Sequence, residues 1–188
     1  APWMSFSLNN QRKSGFLAPT FGSTSKSGLE FTVPFYWNIA PNMDATIAPR
    51  LLSRRGAQWN TELRYLDHGY FGQARFEYLP NDHLANRRRS GYSISHTHSN
   101  LGDGFSGSLD LNGVSDDTYF SDLSTRVSTV SQGNLLRKGQ LNYSGSWWSA
   151  SLTSQSYQTL QDPASGTLIP TPYKRLPQFT LRAARPDL

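Results

Sequence analysis

Apolar and polar positions alternate with period two from residue 15 to about 113, and turn-forming residues cut the alternation into runs about every ten to fourteen residues. Gly15 to Thr24 predicts a first strand, closed by a turn at Ser25-Lys26-Ser27-Gly28. In the second run Leu29, Phe31, Val33, Phe35 and Trp37 share one face, and Glu30, Thr32, Pro34 and Tyr36 share the other. Asn38 to Asn42 makes the next turn. Ala45, Ile47, Pro49 and Leu51 then oppose Thr46, Ala48 and Arg50, up to a turn at Arg54-Arg55-Gly56. A fourth run sets Trp59, Thr61, Leu63 and Tyr65 against Asn60, Glu62 and Arg64, up to Asp67-His68-Gly69. A fifth sets Gly72, Ala74, Phe76 and Tyr78 against Gln73, Arg75 and Glu77, with Pro80-Asn81-Asp82 after it. Further on, Tyr92, Ile94, His96 and His98 alternate with Ser93, Ser95 and Thr97, and Phe105, Leu109 and Leu111 with Ser106, Ser108, Asp110 and Asn112. Beyond Gly113 the pattern weakens. It predicts strands around 122–132, 135–145, 147–160 and 174–183, with a Pro- and Gly-rich loop from Asp162 to Pro172.

The fold class is therefore all-β, built of antiparallel strands, and helical periodicity is absent from the regular part. Composition agrees. Of 188 residues only 36% are hydrophobic and 16% charged, while 15 Gly, 11 Pro and 13% aromatics favour strands and turns. A mean hydropathy of −0.56 and the lack of a long apolar run exclude a helical membrane span. They do not exclude a barrel, whose strands average out as polar. The net charge of +5 suits nucleic acid, anionic lipid or a phosphorylated glycan alike. With no Cys, a thiol nucleophile, a thiolate metal site and an internal disulfide are all ruled out. The opening Ala1-Pro2-Trp3 carries no initiator Met or basic-then-apolar leader, which reads as a mature chain or a fragment. No composition break marks a second domain.

A soluble sandwich and a membrane barrel share this alternation. Aromatics gather at run ends: Phe35, Tyr36 and Trp37 close the second run, Trp59 opens the fourth, Tyr65 closes it and Tyr78 closes the fifth. Interfacial girdles place rings in this way, although strands favour aromatics in any setting. The opposite face is more informative, because Glu30, Arg50, Glu62, Arg64, Arg75, Glu77 and Asp110 fall together on it. A Lys or Arg facing lipid at mid-bilayer costs about 2–4 kcal/mol, so this face meets water, either bulk solvent or a wet lumen. So many long charged side chains would overfill a small packed barrel, which favours a wide one.

Three segments then resemble one family closely. They are Arg12-Lys13-Ser14-Gly15-Phe16-Leu17-Ala18-Pro19, the run from Val33 to Ile47 that reads Val33-Pro34-Phe35-Tyr36-Trp37-Asn38-Ile39-Ala40-Pro41-Asn42-Met43-Asp44, and Glu62-Leu63-Arg64-Tyr65-Leu66. The family is LptD, the lipopolysaccharide-assembly or organic solvent tolerance proteins. Tyr78-Leu79-Pro80-Asn81-Asp82 and the stretch Val114 to Asp122 look like further signatures, so the quoted likeness is dense to about residue 123 and thin afterwards. The resemblance implies an outer-membrane β-barrel of large size in a Gram-negative bacterium. Residues 11–188 would be its first eight to ten strands, about a third of the barrel. Residues 1–10 would be the end of the periplasmic region or a linker, with Trp3 to Leu8 as its last strand. Turns at Asn38–Asp44 and Asp67–Gly69 would face the periplasm, and the connections at Arg54-Arg55-Gly56 and Asn81–Ser90 the outside. The implied activity is insertion of lipopolysaccharide (LPS) into the outer leaflet, with no catalysis and no cofactor. Implied partners are LPS, membrane lipids, the lipoprotein plug LptE and a periplasmic LptA-type bridge, with no nucleic acid.

Pro19 and Pro34 are the first candidate site. Proline has no backbone donor and is confined within sheets to edges, strand starts or bulges. Two adjacent runs with an interior Pro read either as a deliberately weak seam or as a late strand start plus a bulge. The family likeness favours the seam, because both prolines match its lateral-gate prolines, whereas Pro49 at an analogous place ranks third. Arg87-Arg88-Arg89 is a candidate grip for LPS phosphates, set against an ordinary solvated charge run. His96 and His98 share a face at i, i+2, but one pair lacks the third ligand a metal site needs. No G-x-S-x-G elbow links Ser, His and Asp. A self-contained small barrel, either an outer-membrane enzyme or a soluble glycan-binding module, is the competing expectation. The two predict different solubility without detergent.

Overall fold

In the computed structural model, residues 12–123, 133–163 and 166–184 are described. Twelve strands make one antiparallel sheet. They are β1 (Gly15–Phe16), β2 (Thr20–Thr24), β3 (Gly28–Thr32), β4 (Phe35–Ala40), β5 (Met43–Leu52), β6 (Gly56–Leu66), β7 (Tyr70–Asp82), β8 (Arg87–Gly102), β9 (Phe105–Val114), β10 (Asn134–Ser144), β11 (Trp148–Thr159) and β12 (Arg175–Ala183). One short helix, α1 (Tyr119–Leu123), interrupts the series. From β5 onward each strand pairs with its sequence neighbours, whereas β4 pairs with β1 on its other side and β3 pairs with β2 and β5. Among the described residues β12 lies at one edge and β1 and β2 at the other, so the sheet is open.

The period-two reading holds from the third run on, and the strands are longer than the alternation alone marks. Two features differ. The first two runs are each broken. β1 gives way to β2 across Leu17–Pro19, and β3 to β4 across Val33–Pro34. The strand expected at 122–132 instead begins inside α1, and its remainder, 124–132, lies outside the described residues, as does the strand expected at Trp3–Leu8. Alternation in 119–123 is overridden because Tyr119 and Leu123 bury themselves against the sheet with Leu52 and Leu79.

Register divides the sheet into two chemically distinct faces. Pairing aligns Thr46, Glu62, Arg75, Ser93 and Asn112 in one row, and Asp44, Arg64, Gln73, Ser95, Asp110 and Lys138 in the next. The other face carries Phe21, Trp37, Leu51, Trp59, Phe76, Leu109, Leu141, Leu152 and Phe179, all exposed, with Phe31 half-buried among them. Little of the apolar content forms an internal core. Among the described residues the cluster of fully buried apolar side chains is Leu52, Leu79, Tyr119 and Leu123, with Val114 and Phe120 against it. It lies between α1 and the polar face, at one rim.

The two rims differ. Along one, connections are short: 41–42, 67–69, 103–104 and 145–147. Along the other lie 25–27, 53–55, 83–86 and the two long stretches 115–133 and 160–174. Tyr36 departs from the expected aromatic girdle. It lies on the polar face, and its hydroxyl donates to Asp44 at 3.3 Å.

Candidate functional site

The two broken runs face each other. Gly15 pairs with Tyr36 and Phe16 with Phe35, whereas beyond the break Thr20 pairs with Thr32, a shift of one residue. Three residues on one side thus oppose two on the other, the count of a β-bulge. The third run stays in register with the second throughout, from Glu30 opposite Leu52 to Asn38 opposite Asp44. Pro34 therefore does not bend its strand away.

What the prolines remove is hydrogen bonding. Leu17 N–H donates to the Pro34 carbonyl at 2.9 Å, and Val33 N–H donates to the Pro49 carbonyl at 3.2 Å. In an antiparallel rung of this kind each residue normally returns the bond. Neither proline nitrogen has a hydrogen to return. Two half-made rungs thus lie side by side, one on each flank of Val33–Pro34. A missing rung bond is worth about 0.5–1.5 kcal/mol in ordinary settings, and an unmet polar group in hydrocarbon costs several. Pro19 sits immediately before β2, within the bulge.

The predicted charged residues do share a face, and most find partners there. Arg50 Nη2 lies 2.6 Å from Glu30 Oε2, and Arg75 Nε lies 2.8 Å from Glu62 Oε2. Arg64 holds Asp44 through two bonds, Nε at 2.8 Å and Nη2 at 3.1 Å, the planar fork that guanidinium makes with carboxylate. Arg12 reaches the same carboxylate at 3.4 Å. Asp110 accepts from Asn112 Nδ2 at 2.6 Å. A concavity of about 590 Å³ opens on this face between β5, β9 and α1, with Arg50, Asn60, Glu62, Arg75 and Glu77 along it.

Above that concavity α1 is bolted to the sheet. Tyr119 lies over Gly91, where a Cβ would come within 3.2 Å of the ring. Its hydroxyl donates to Glu77 Oε2 at 2.7 Å. Burial, foremost, and the Glu77 charge push the phenol well above its ordinary pKa, so it remains a donor. At the helix C-terminus three carbonyls each receive a side-chain donor. Lys26 Nζ reaches Ser121 O at 2.6 Å, Ser27 Oγ reaches Asp122 O at 3.4 Å, and Arg50 Nη1 reaches Leu123 O at 2.9 Å.

Arg89 completes the attachment. Its Nη1 contacts Asp82 Oδ2 at 3.2 Å and Asp122 Oδ2 at 2.8 Å, its Nη2 contacts Asp116 Oδ1 at 2.6 Å, and its side chain is 0% exposed. Arg55 Nη1 shares Asp82 at 2.7 Å. Burial works to raise the Asp116 carboxyl. Bonds from Arg89, Ser115 and Thr118 and the guanidinium charge outweigh it and hold the pKa below the usual carboxylate range. This corrects the reading of Arg87-Arg88-Arg89 as one phosphate grip. Arg89 is sealed among three carboxylates, while Arg87 is exposed and pairs with Asp116 at 3.1 Å, and Arg88 is exposed. No sequence motif marks this cluster. Its signal was the set of acids at 82, 116 and 122 flanking a basic run, which no spacing rule singles out.

His96 and His98 fall on the apolar face. The Tyr65 hydroxyl lies 2.7 Å from His96 Nδ1, and the Tyr70 ring centroid lies 5.3 Å from that of His98. They form part of an aromatic cluster near the short-turn rim.

A single antiparallel sheet with an exposed aromatic and aliphatic face, a charged hydrogen-bonded face, and long connections gathered on one rim is wall of a transmembrane β-barrel. A family model described as LPS transport system D matches residues 87–188. The chain is 53% identical over its full length to a protein of Azoarcus sp. (strain BH72) named LPS-assembly protein LptD, covering 23% of that protein. Proteins of the same name from Nitrosomonas eutropha and Bordetella pertussis are 45% and 44% identical, again over 100% of this chain, covering 26% and 23% of their length. The chain belongs to the LptD family, and it spans about a quarter of the curated relatives it matches. The match extends well past residue 123, where recognisable short motifs thin out.

Proposed function

We propose that this chain forms the early wall of an outer-membrane LPS translocon, with its charged face on the lumen and a lateral exit beside β1 and β2. The saccharide part passes along the polar face over Glu30, Arg50, Glu62, Arg64, Arg75, Glu77 and Asp110. The acyl chains leave sideways through a seam that opens next to the interrupted strands. The carrying observation is the pair of half-made rungs at Leu17–Pro34 and Val33–Pro49. A sheet that must part at one place is weakened there by removing donors and not by removing strands.

Barrels of this class have short periplasmic turns and long outer loops. The short rim at 41–42, 67–69, 103–104 and 145–147 is accordingly periplasmic, and α1 lies at the outer mouth. Arg87 and Arg88 stand on that mouth as the cations left to meet LPS phosphates. Periplasmic delivery by an LptA-type bridge and a lumenal LptE plug complete the scheme, and no covalent step or cofactor is required.

The test uses the full-length protein in cells. Replacing Pro19 and Pro34 together by Ala restores two backbone donors, one of them at the Leu17–Pro34 rung, and should slow the appearance of new LPS at the surface while the barrel still inserts at its normal level. Unchanged export in the double variant removes the gate role from these prolines.

A further inference from the structure

We infer that the outer wall beside the interrupted hairpin carries a binding groove for the acylated, phosphorylated end of LPS, its acyl chains on Phe21, Phe31 and Leu51 and its phosphate on Arg54. This rests on the translocation reading above and adds an exit-side site to it.

The groove is a feature of shape as well as of polarity. Pairing sets Phe21, Phe31, Leu51 and Ala57 in one row across β2, β3, β5 and β6. Three of the four side chains are large, and Ala57 ends the row with a single methyl. The result is an apolar concavity of about 530 Å³ that also includes Leu29. The Phe21 and Phe31 rings, 4.8 Å apart between centroids, form one wall. Phe21 is 79% and Leu29 70% exposed, far more than a core side chain would be.

Position ties the groove to the seam. Phe31 and Leu51 lie two residues along from the Val33–Pro49 half rung, on the outer-mouth side. β2 pairs only with β3 among the described residues, which places it at the end of this sheet. Whatever leaves the sheet past that edge meets Phe21 first.

Charge selects the occupant. The loop that ends the groove, 53–55, holds two arginines of opposite fate. Arg55 turns inward to Asp82. Arg54 is exposed, arches over Gly28 (φ 76°) and donates one bond to the Ser25 carbonyl, and has no carboxylate partner among the described residues. Lys26 on the neighbouring turn is committed to Ser121. A planar cation one residue beyond Ser53, which lines the groove, with donors to spare, matches a phosphate joined to acyl chains. On the outer-mouth side of the wall that chemistry is the lipid end of LPS.

The experiment places a photoreactive p-benzoylphenylalanine at Leu29 in the full-length protein in LPS-producing cells, with parallel copies at Leu152 and at Ser95. Leu152 lies on the same apolar face far from the groove, and Ser95 lies on the polar face. The site predicts LPS adducts at Leu29 well above those at Leu152. It also predicts that Arg54→Gln lowers the Leu29 adduct about tenfold, equivalent to about 1.4 kcal/mol, with insertion unchanged. Ala57→Phe, which fills the groove, should do the same. Adducts at Leu29 no stronger than at Leu152, or adducts to glycerophospholipid in place of LPS, overturn the groove while adducts at Ser95 leave the translocation reading standing. Absence of LPS adducts at Ser95 and Leu29 alike overturns both.

Discussion

The Tyr119 hydroxyl donates to Glu77 Oε2 at 2.7 Å, joining α1 to the middle of the charged face. The phenol is also met by Gln58 Nε2 at 3.4 Å, so one buried oxygen links helix, β6 and β7. Tyr119→Phe keeps the ring over Gly91 and leaves the Glu77 carboxylate short of a donor. The expected cost is about 1–3 kcal/mol. Hydrogen exchange in the full-length protein should show loss of protection at residues 119–123, with β10 and β11 unaffected.

Arg89 and Arg87 lie two residues apart and should behave in opposite ways. Arg89→Ala leaves Asp82, Asp116 and Asp122 facing one another without their shared cation, and removing one partner of a buried pair costs about 3–5 kcal/mol. Arg87→Ala removes an exposed pair worth about 0–1 kcal/mol. Heat-dependent mobility of the folded barrel on gels separates the two: a clear drop in unfolding temperature for the first, and almost none for the second.

Acid should loosen the same rim. Because the folded Asp116 pKa is depressed, its contribution is fully present above the ordinary carboxylate pKa of about 3.9. It is lost as pH falls through the lower folded value. Protection of residues 116–123 is expected to hold from neutral pH down to about 4 and to fall below that. Asp116→Asn should be less protected at neutral pH and show a flatter profile.

Gly72 marks a close approach on the apolar face. A Cβ there would collide with the Tyr65 hydroxyl and lie within 2.7 Å of the Ser95 carbonyl. Gly72→Val should displace the Tyr65 ring from His96 and destabilise the barrel by about 1–3 kcal/mol. Gly102→Ala, where a Cβ meets open space, tests a different term because its φ of 97° strains any side chain. Urea titration of the two variants, with the Tyr65→Phe variant as a reference for the lost hydroxyl, distinguishes collision from strain.

The strands from β5 onward were legible because a charged face on one side and an apolar face on the other enforce period two, and register follows from short turns. The breaks were not. Pro34 and Pro49 stand in runs of the same character, yet only the first interrupts its strand. Pro49 keeps its pairing with Trp59 on the far side and loses one bond on the near side. Sequence shows a missing donor but not which neighbour it should have met. Parity also grouped Glu30, Arg50, Glu62, Arg64, Arg75 and Glu77 correctly on one face, since that depends only on counting. Their partners depend on stagger between strands, so Arg64 with Asp44 and Arg89 with three acids emerged only from the fold. α1 is five residues long and owes its form to Leu52, Leu79 and Glu77, none of which is local.

The donors that finish α1 have a consequence for the order in which the wall is made. Lys26 and Ser27 bind carbonyls 95 positions further along the chain. The β2–β3 turn, on the run that carries the Val33–Pro49 half rung, therefore has to wait for seven more strands before its tether arrives. Contacts of such separation form late. A newly emerging chain is thus free at this corner until the helix comes home, and growth of the barrel itself is what finally fastens it.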